Sequence, residues 1–97
     1  MVKYALLARV EAKPGKEEAV ENFLKSALPL AIEENDTISW YALKIGPSTF
    51  GIFDTFNEEE GREAHLKGKL AAALMQHAGE LLSTPPVIEK VELLAVK

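Results

Sequence analysis

Ninety-seven residues, 47% of them apolar, leave room for one compact domain, spanning residues 1–97, and no second. Eleven basic against fifteen acidic side chains give a formal net charge of −4, and the lysines are scattered, which argues against a nucleic-acid partner because phosphate contacts need a concentrated positive face. Cysteine is absent, so disulfides, thiolate nucleophiles, iron–sulfur ligation and thiolate zinc sites are excluded together, as suits a cytoplasmic protein.

The chain enters a strand pattern with no basic segment leading an apolar run, and nowhere do ~18 apolar residues follow one another, so neither secretion nor a membrane span is expected. From Val2 to Ala12 the residues alternate, with Val2, Tyr4, Leu6, Ala8 and Val10 on one face and Lys3, Ala5, Leu7, Arg9 and Glu11 on the other. Lys13-Pro14-Gly15 is turn chemistry. Val20, Phe23, Leu24, Ala27, Leu28 and Ala31 then recur at helical spacing, with Glu17 and Glu18 at the positive end of the helix. Pro29 removes a backbone donor inside this helix, which predicts a kink between Lys25 and Pro29 before the helix continues to about Glu34.

Asn35-Asp36 makes a turn into a β-branched and aromatic strand, Thr37 to Ile45. Gly46-Pro47-Ser48 returns the chain as a hairpin into Thr49 to Phe56. Asn57 is placed to cap the next helix, with Glu60 closing a capping box and Gly68 ending it. The acidic run Glu58-Glu59-Glu60 reads as a solvated helix start. A further helix runs from Lys69 to Leu82, with Leu70, Ala73, Leu74, His77 and Leu81 on one stripe. Ser83-Thr84-Pro85-Pro86 stops it, and Val87 to Val96 alternates as a last strand.

The order βαββααβ predicts an α+β ferredoxin-like sandwich, a four-stranded antiparallel sheet with its helices on one face. The other face would carry, depending on register, groups such as Ala5, Leu7, Trp40 and Phe53, too apolar to leave wet across a whole sheet. A second copy of the same sheet is the simplest cover, which makes a homodimer, pairing as a dimeric α/β barrel, the expected state.

Several of these features fall in an order that resembles the antibiotic biosynthesis monooxygenase superfamily of dimeric α/β-barrel proteins. They are Ala12-Lys13-Pro14-Gly15-Lys16 after the first strand, the acidic-start helix, Trp40-Tyr41-Ala42-Leu43, and the stretch from Phe56 to His65. In the superfamily that stretch commonly opens on a tryptophan, where this chain has Phe56, and closes on a histidine, matched by His65. The glycine that often precedes the second strand is Asp36 here. The first strand has no asparagine and the helices after strand three no tryptophan, which sets the chain apart from the haem-degrading branch.

Similarity to the quinol-oxidising branch implies a small electron-rich phenol or quinol as substrate, dioxygen as co-substrate, and no flavin or metal cofactor. Such chemistry asks for a dry cavity, a group of near-neutral pKa and a donor or cation for an oxyanion. His65 is the candidate base, since an unperturbed imidazole titrates near pH ~6.5. Arg9 or Lys44 are candidates to hold the anion, and Trp40, Phe53 or Phe56 to wall the ring. Trp40 and Tyr41 point to opposite faces of one strand, and Trp40 is assigned to the pocket side.

Each of these residues also has a structural reading. His65 also reads as a helix-end residue that bonds a terminal carbonyl; His77 lies on an apolar stripe and reads as an interior histidine; Arg9 reads as a solvated or intersubunit ion-pair residue. Asp54 interrupts an apolar strand face, where a lone carboxylate is costly, so a partner in Arg9 or Lys44 is expected. The two histidines stand twelve residues apart with no third imidazole or thiolate, which gives metal binding little support, and neither a catalytic-serine elbow nor a P-loop occurs. The alternatives to an oxygenase are an isomerase using His65 as acid and base on the same barrel, and a non-catalytic dimeric small-ligand-binding or stress-response protein.

Overall fold

The alternating first segment forms β1 (Tyr4–Glu11), which lies inside the sheet with an antiparallel partner on each edge. The structure, a computed structural model, describes residues 2–97. After β1 come α1 (Glu17–Ser26), α2 (Leu28–Ile32), β2 (Thr37–Lys44), β3 (Thr49–Phe56), α3 (Glu59–Leu66), α4 (Lys69–Leu81) and β4 (Val87–Glu92). The sheet order is β2-β3-β1-β4, antiparallel throughout, the ferredoxin-like α+β sandwich that the element order predicted.

Some boundaries differ from the sequence expectation, each for a local reason. β4 stops at Glu92 rather than Val96, because Glu92 pairs with Tyr4 at the start of β1, and one further bond, from Leu93 N–H to the Lys3 carbonyl at 2.7 Å, exhausts the partner strand. The kink expected between Lys25 and Pro29 falls at Ala27, where the long first helix divides with φ −79° and ψ −14°, still near helical values, and the second part ends at Ile32 rather than near Glu34. Pro29 thereby falls in the first turn of α2, where its missing N–H costs nothing. The expected Asn57 cap does not form: α3 begins at Glu59 with Glu58 as its N-cap and no side-chain cap bond. A box built from Glu58 would need a side chain three residues on, at Gly61. Gly68 follows α3 but serves as the N-cap of α4, with an extended backbone instead of a left-handed one. The Lys13–Lys16 turn closes as expected, with Lys16 N–H 2.8 Å from the Lys13 carbonyl and Gly15 at φ +84°, a region glycine enters without a Cβ penalty.

The register assigns the sheet faces. Leu6, Ala8 and Val10 of β1, Phe50, Ile52 and Phe56 of β3, and Trp40 of β2 face the helices, while Ala5, Leu7, Tyr41 and Phe53 occupy the opposite face. Of the groups that the register could have placed on the outer face, Trp40 lies instead on the helix side, the pocket side to which it was assigned, and Tyr41, 55% exposed, lies outside. Between the sheet and the helices Val20 and Leu24 of α1 and Leu70, Leu74 and Leu81 of α4 pack with Val10, Phe50 and Ile52. Each fully buried side chain of this size stabilises by about 1.5–3 kcal/mol relative to exposure. His77, read as interior, is exposed on α4 with its ring 5.1 Å from that of Phe23, at the margin of the buried stripe.

One irregularity shapes the site. Thr37 pairs with Phe56 and Ser39 with Thr55, so Ile38 is an extra residue bulged out of β2. In an unbroken strand the period of two would turn Thr37 away from the helices; the bulge returns it to the face of Phe56.

Candidate active site

The site gathers where three separate segments meet: the turn after α2, the end of β3, and α3. α3 is short and presents Gly61, Arg62 and His65 inward, at the three- and four-residue spacing of one helix face. Gly61 sets how near the helix comes, since a Cβ there would stand 2.9 Å from the Asp36 Cβ. Arg62, 8% exposed, directs Nη1 to the carbonyls of Val91 (3.2 Å) and Ala5 (3.4 Å) and lies over the Tyr4 ring, which ties α3 to β1 and β4.

His65, 7% exposed, is held on both ring nitrogens by carboxylates. Nδ1 lies 2.5 Å from Glu34 Oε1, and Nε2 lies 2.9 Å from Asp54 Oδ2. The second contact is an ion pair set off the line of an ordinary hydrogen bond, so that both Asp54 oxygens lack a conventional donor although the residue is only 1% exposed. Thr37, re-aimed by the bulge, donates its hydroxyl to the same Glu34 Oε1 at 2.7 Å. Phe56 supports the imidazole from below, with ring centroids 5.5 Å apart.

Burial of the ring works against its charged form, but the contacts to Asp54 and Glu34 and their negative charges outweigh it and raise the His65 pKa from 6.5 to about 9. At neutral pH His65 is thus an imidazolium between two carboxylates rather than the neutral base of pKa ~6.5 expected from sequence. Asp54 finds its cation in His65, not in Arg9 or Lys44.

The ring forms part of two walls. On the Glu34 side lies an open cleft of about 310 Å³, lined among others by Leu30, Asp36, Thr37, Ala64 and Lys69. On the Asp54 side lies a small apolar cavity of about 30 Å³ bounded by Leu6, Ile52, Leu70, Leu74 and Ile88. Of the candidates read from sequence, His65 and Phe56 come together here, and Trp40 stands across from Asp54 on the helix side of the sheet with its Nε1 buried and unpartnered. Arg9 and Phe53 belong to the opposite sheet face. Lys44 pairs with Phe50 at the far end of β2, where it meets Glu21 at 3.7 Å. Glu34 and Thr37 were missed. Asp54 did carry a signal, a carboxylate on an apolar strand face that demanded a buried cation.

No protein-family model matches the chain, and no curated protein matches it. Among solved structures, a protein of unknown function from Nitrosomonas europaea is 64% identical, with a TM-score of 0.98, over 100% of this chain and 94% of that one. The chain belongs to that protein's family. Two further structures are alike in fold alone. A Mycobacterium tuberculosis protein has a TM-score of 0.84 at 17% identity, over 97% of each chain. A Nitrosomonas europaea protein described as a candidate antibiotic biosynthesis monooxygenase has a TM-score of 0.83 at 15% identity, over 95% of this chain and 90% of that one. The family thus has the fold of the antibiotic biosynthesis monooxygenase superfamily. No helix of the structure is long and apolar enough to cross a membrane.

Proposed function

We propose that the chain is a cofactor-free monooxygenase acting on a small electron-rich phenol or quinol, with its chemistry at His65. The observation that carries this reading is the imidazolium locked between Glu34 and Asp54 at the wall of a cleft whose volume falls at the lower end of the range for small-molecule sites. A hydroxyl of the substrate gives its proton to a Glu34 oxygen, which leaves a phenolate beside the His65 ring at the wall of the cleft. The phenolate passes one electron to dioxygen, and the aryloxyl radical and superoxide recombine at a ring carbon. The peroxide anion takes back the proton held by Glu34, and the ring carbon then loses its hydrogen as a proton while the O–O bond breaks, leaving a carbonyl and a hydroxide that takes up that proton as water, so that the substrate supplies every electron. Leu30 and Ala64 give the cleft apolar contact for a ring.

Dioxygen uptake by the metal-free and flavin-free protein, offered naphthoquinols, benzoquinols and anthrone-like phenols, tests the proposal. Uptake above the spontaneous rate that falls ~100-fold or more in folded His65→Ala is expected from the usual contribution of a positioned acid–base group. Uptake equal to the blank throughout would sink it. An isomerase is the second reading, favoured by the same ring being held protonated beside a carboxylate, a paired acid and base that needs no oxygen.

The proposed active form is a homodimer. Leu7, Tyr41 and Phe53, with Val87 of β4 at 56% exposure, put apolar surface on the sheet face away from the helices, with Arg9 and Glu89 beside it on the same face. Light scattering at micromolar concentration is expected to give twice the chain mass, and Phe53→Asp to halve it; a wild-type monomer would refute the pairing.

A further inference from the structure

We infer that Glu34, His65 and Asp54 act as one proton-accepting unit, in which a proton taken from a hydroxyl in the cleft is matched by transfer of the inner ring proton of His65 to the buried carboxylate of Asp54. The inference rests on the cleft being the site of a phenolic substrate, as proposed above. Three observations support it. The ring bridges the two carboxylates through opposite nitrogens, and it lines both the cleft on the Glu34 side and the small, mostly apolar cavity on the Asp54 side. Asp54 is almost wholly buried and sets Oδ2 2.9 Å from His65 Nε2, a distance short enough for the ring proton to pass between them. Glu34 Oε1 already accepts from both His65 and Thr37, which leaves Oε2 as the oxygen free to receive a ligand's proton.

The proton count closes. Before transfer the unit holds two protons, both on the ring, and carries charge −1. After transfer it holds three, one each on Glu34 Oε2, His65 Nδ1 and Asp54 Oδ2, and is neutral, while the ligand hydroxyl has become an oxyanion. Of the other charges near the unit, Arg62 on α3 is engaged with backbone carbonyls, while Glu33, Asp36 and Lys69 line the same cleft and none of them bonds the His65 ring. Asp54 touches no ligand; it acts through His65 and is a positioning residue.

The test uses para-nitrophenol as the probe, because its anion is coloured, with infrared spectroscopy of the same samples for the carboxylic-acid stretch. In the wild-type protein the bound phenolate and an acid band are expected to grow together. Asp54→Asn, which keeps the shape of the side chain, is expected to remove part of that band and to lower the phenolate fraction at least ~10-fold, the equivalent of one pKa unit. Glu34→Gln is expected to abolish both signals. Phenolate formed with no acid band, a band unchanged in Asp54→Asn, or a bound phenol that stays protonated would each overturn the inference. Coupled ionisation without oxygen uptake on any substrate would uphold it and defeat the oxygenase reading alone; oxygen uptake undiminished in Asp54→Asn would do the reverse.

Discussion

Asp54→Ala is expected to destabilise the fold by about 3 kcal/mol or more, the usual loss when one member of a buried ion pair is removed and its partner stays behind. The imidazolium would keep Glu34 on Nδ1, but Nε2 would face the apolar cavity of Leu6, Ile52 and Leu70 with no counter-charge. The double replacement Asp54→Leu with His65→Leu is expected to recover most of the loss, because the desolvation cost of the charges disappears with them and the cavity is already lined by aliphatic side chains. Urea unfolding of the three proteins is the measurement. A loss below ~1 kcal/mol in the single variant would show that the pair contributes little in place, since that is the range of exposed pairs.

Stability is also expected to fall on the alkaline side. The His65 pKa is raised in the folded state to about 9 from 6.5, so the folded form holds its proton more tightly than the unfolded chain. The resulting stabilisation is complete below pH ~6.5, declines above it as the unfolded ring loses its proton, and is gone once pH has passed ~9. The full linkage for such a shift is discounted to about 2 kcal/mol because water reaches the Glu34 side of the ring. Thermal unfolding across this window is expected to show the loss in the wild type and a flatter profile in the Glu34→Gln, Asp54→Asn double variant. Equal slopes in the two proteins would exclude His65 as the source.

The cluster also explains how a small domain tolerates charge in its interior. Asp54 and Glu34 are matched by His65 on α3, and Arg62 of the same helix bonds the carbonyls of Ala5 and Val91, so the helix is held to the sheet by polar contacts as well as by packing. α3 has no capping side chain and offers only Gly61, Arg62 and His65 to the interior. Its docking therefore depends on the polar contacts that form the site, which couples loss of the site to loss of local structure.

The order of elements was legible because it follows from local chemistry. Alternation in Leu6, Ala8 and Val10 and the helical spacing of Val20, Leu24, Leu70 and Leu74 state which side of each element is apolar, and Lys13-Pro14-Gly15 and Ser83-Thr84-Pro85-Pro86 state where elements end. His65 and Phe56 stood out because a short, fixed spacing joins them across one turn. What the sequence left undecided was every relation that depends on register and helix placement. The bulge at Ile38 is one added residue in a strand whose composition is uniformly β-forming, and only pairing with β3 reveals it; yet it decides that Thr37 meets Glu34. Glu34 follows a helix end as an ordinary surface carboxylate would, and it becomes a ligand of His65 only because Gly61 lets α3 approach the Asp36 turn. Asp54 announced by its setting that a cation must lie nearby, but the choice of His65 over Arg9 or Lys44 is geometric: Arg9 lies on the other face of the sheet and Lys44 at its other end, while α3 crosses directly above. Composition and period fix what each segment buries; contacts between residues some 30 positions apart are fixed only when the sheet sets one helix over one strand.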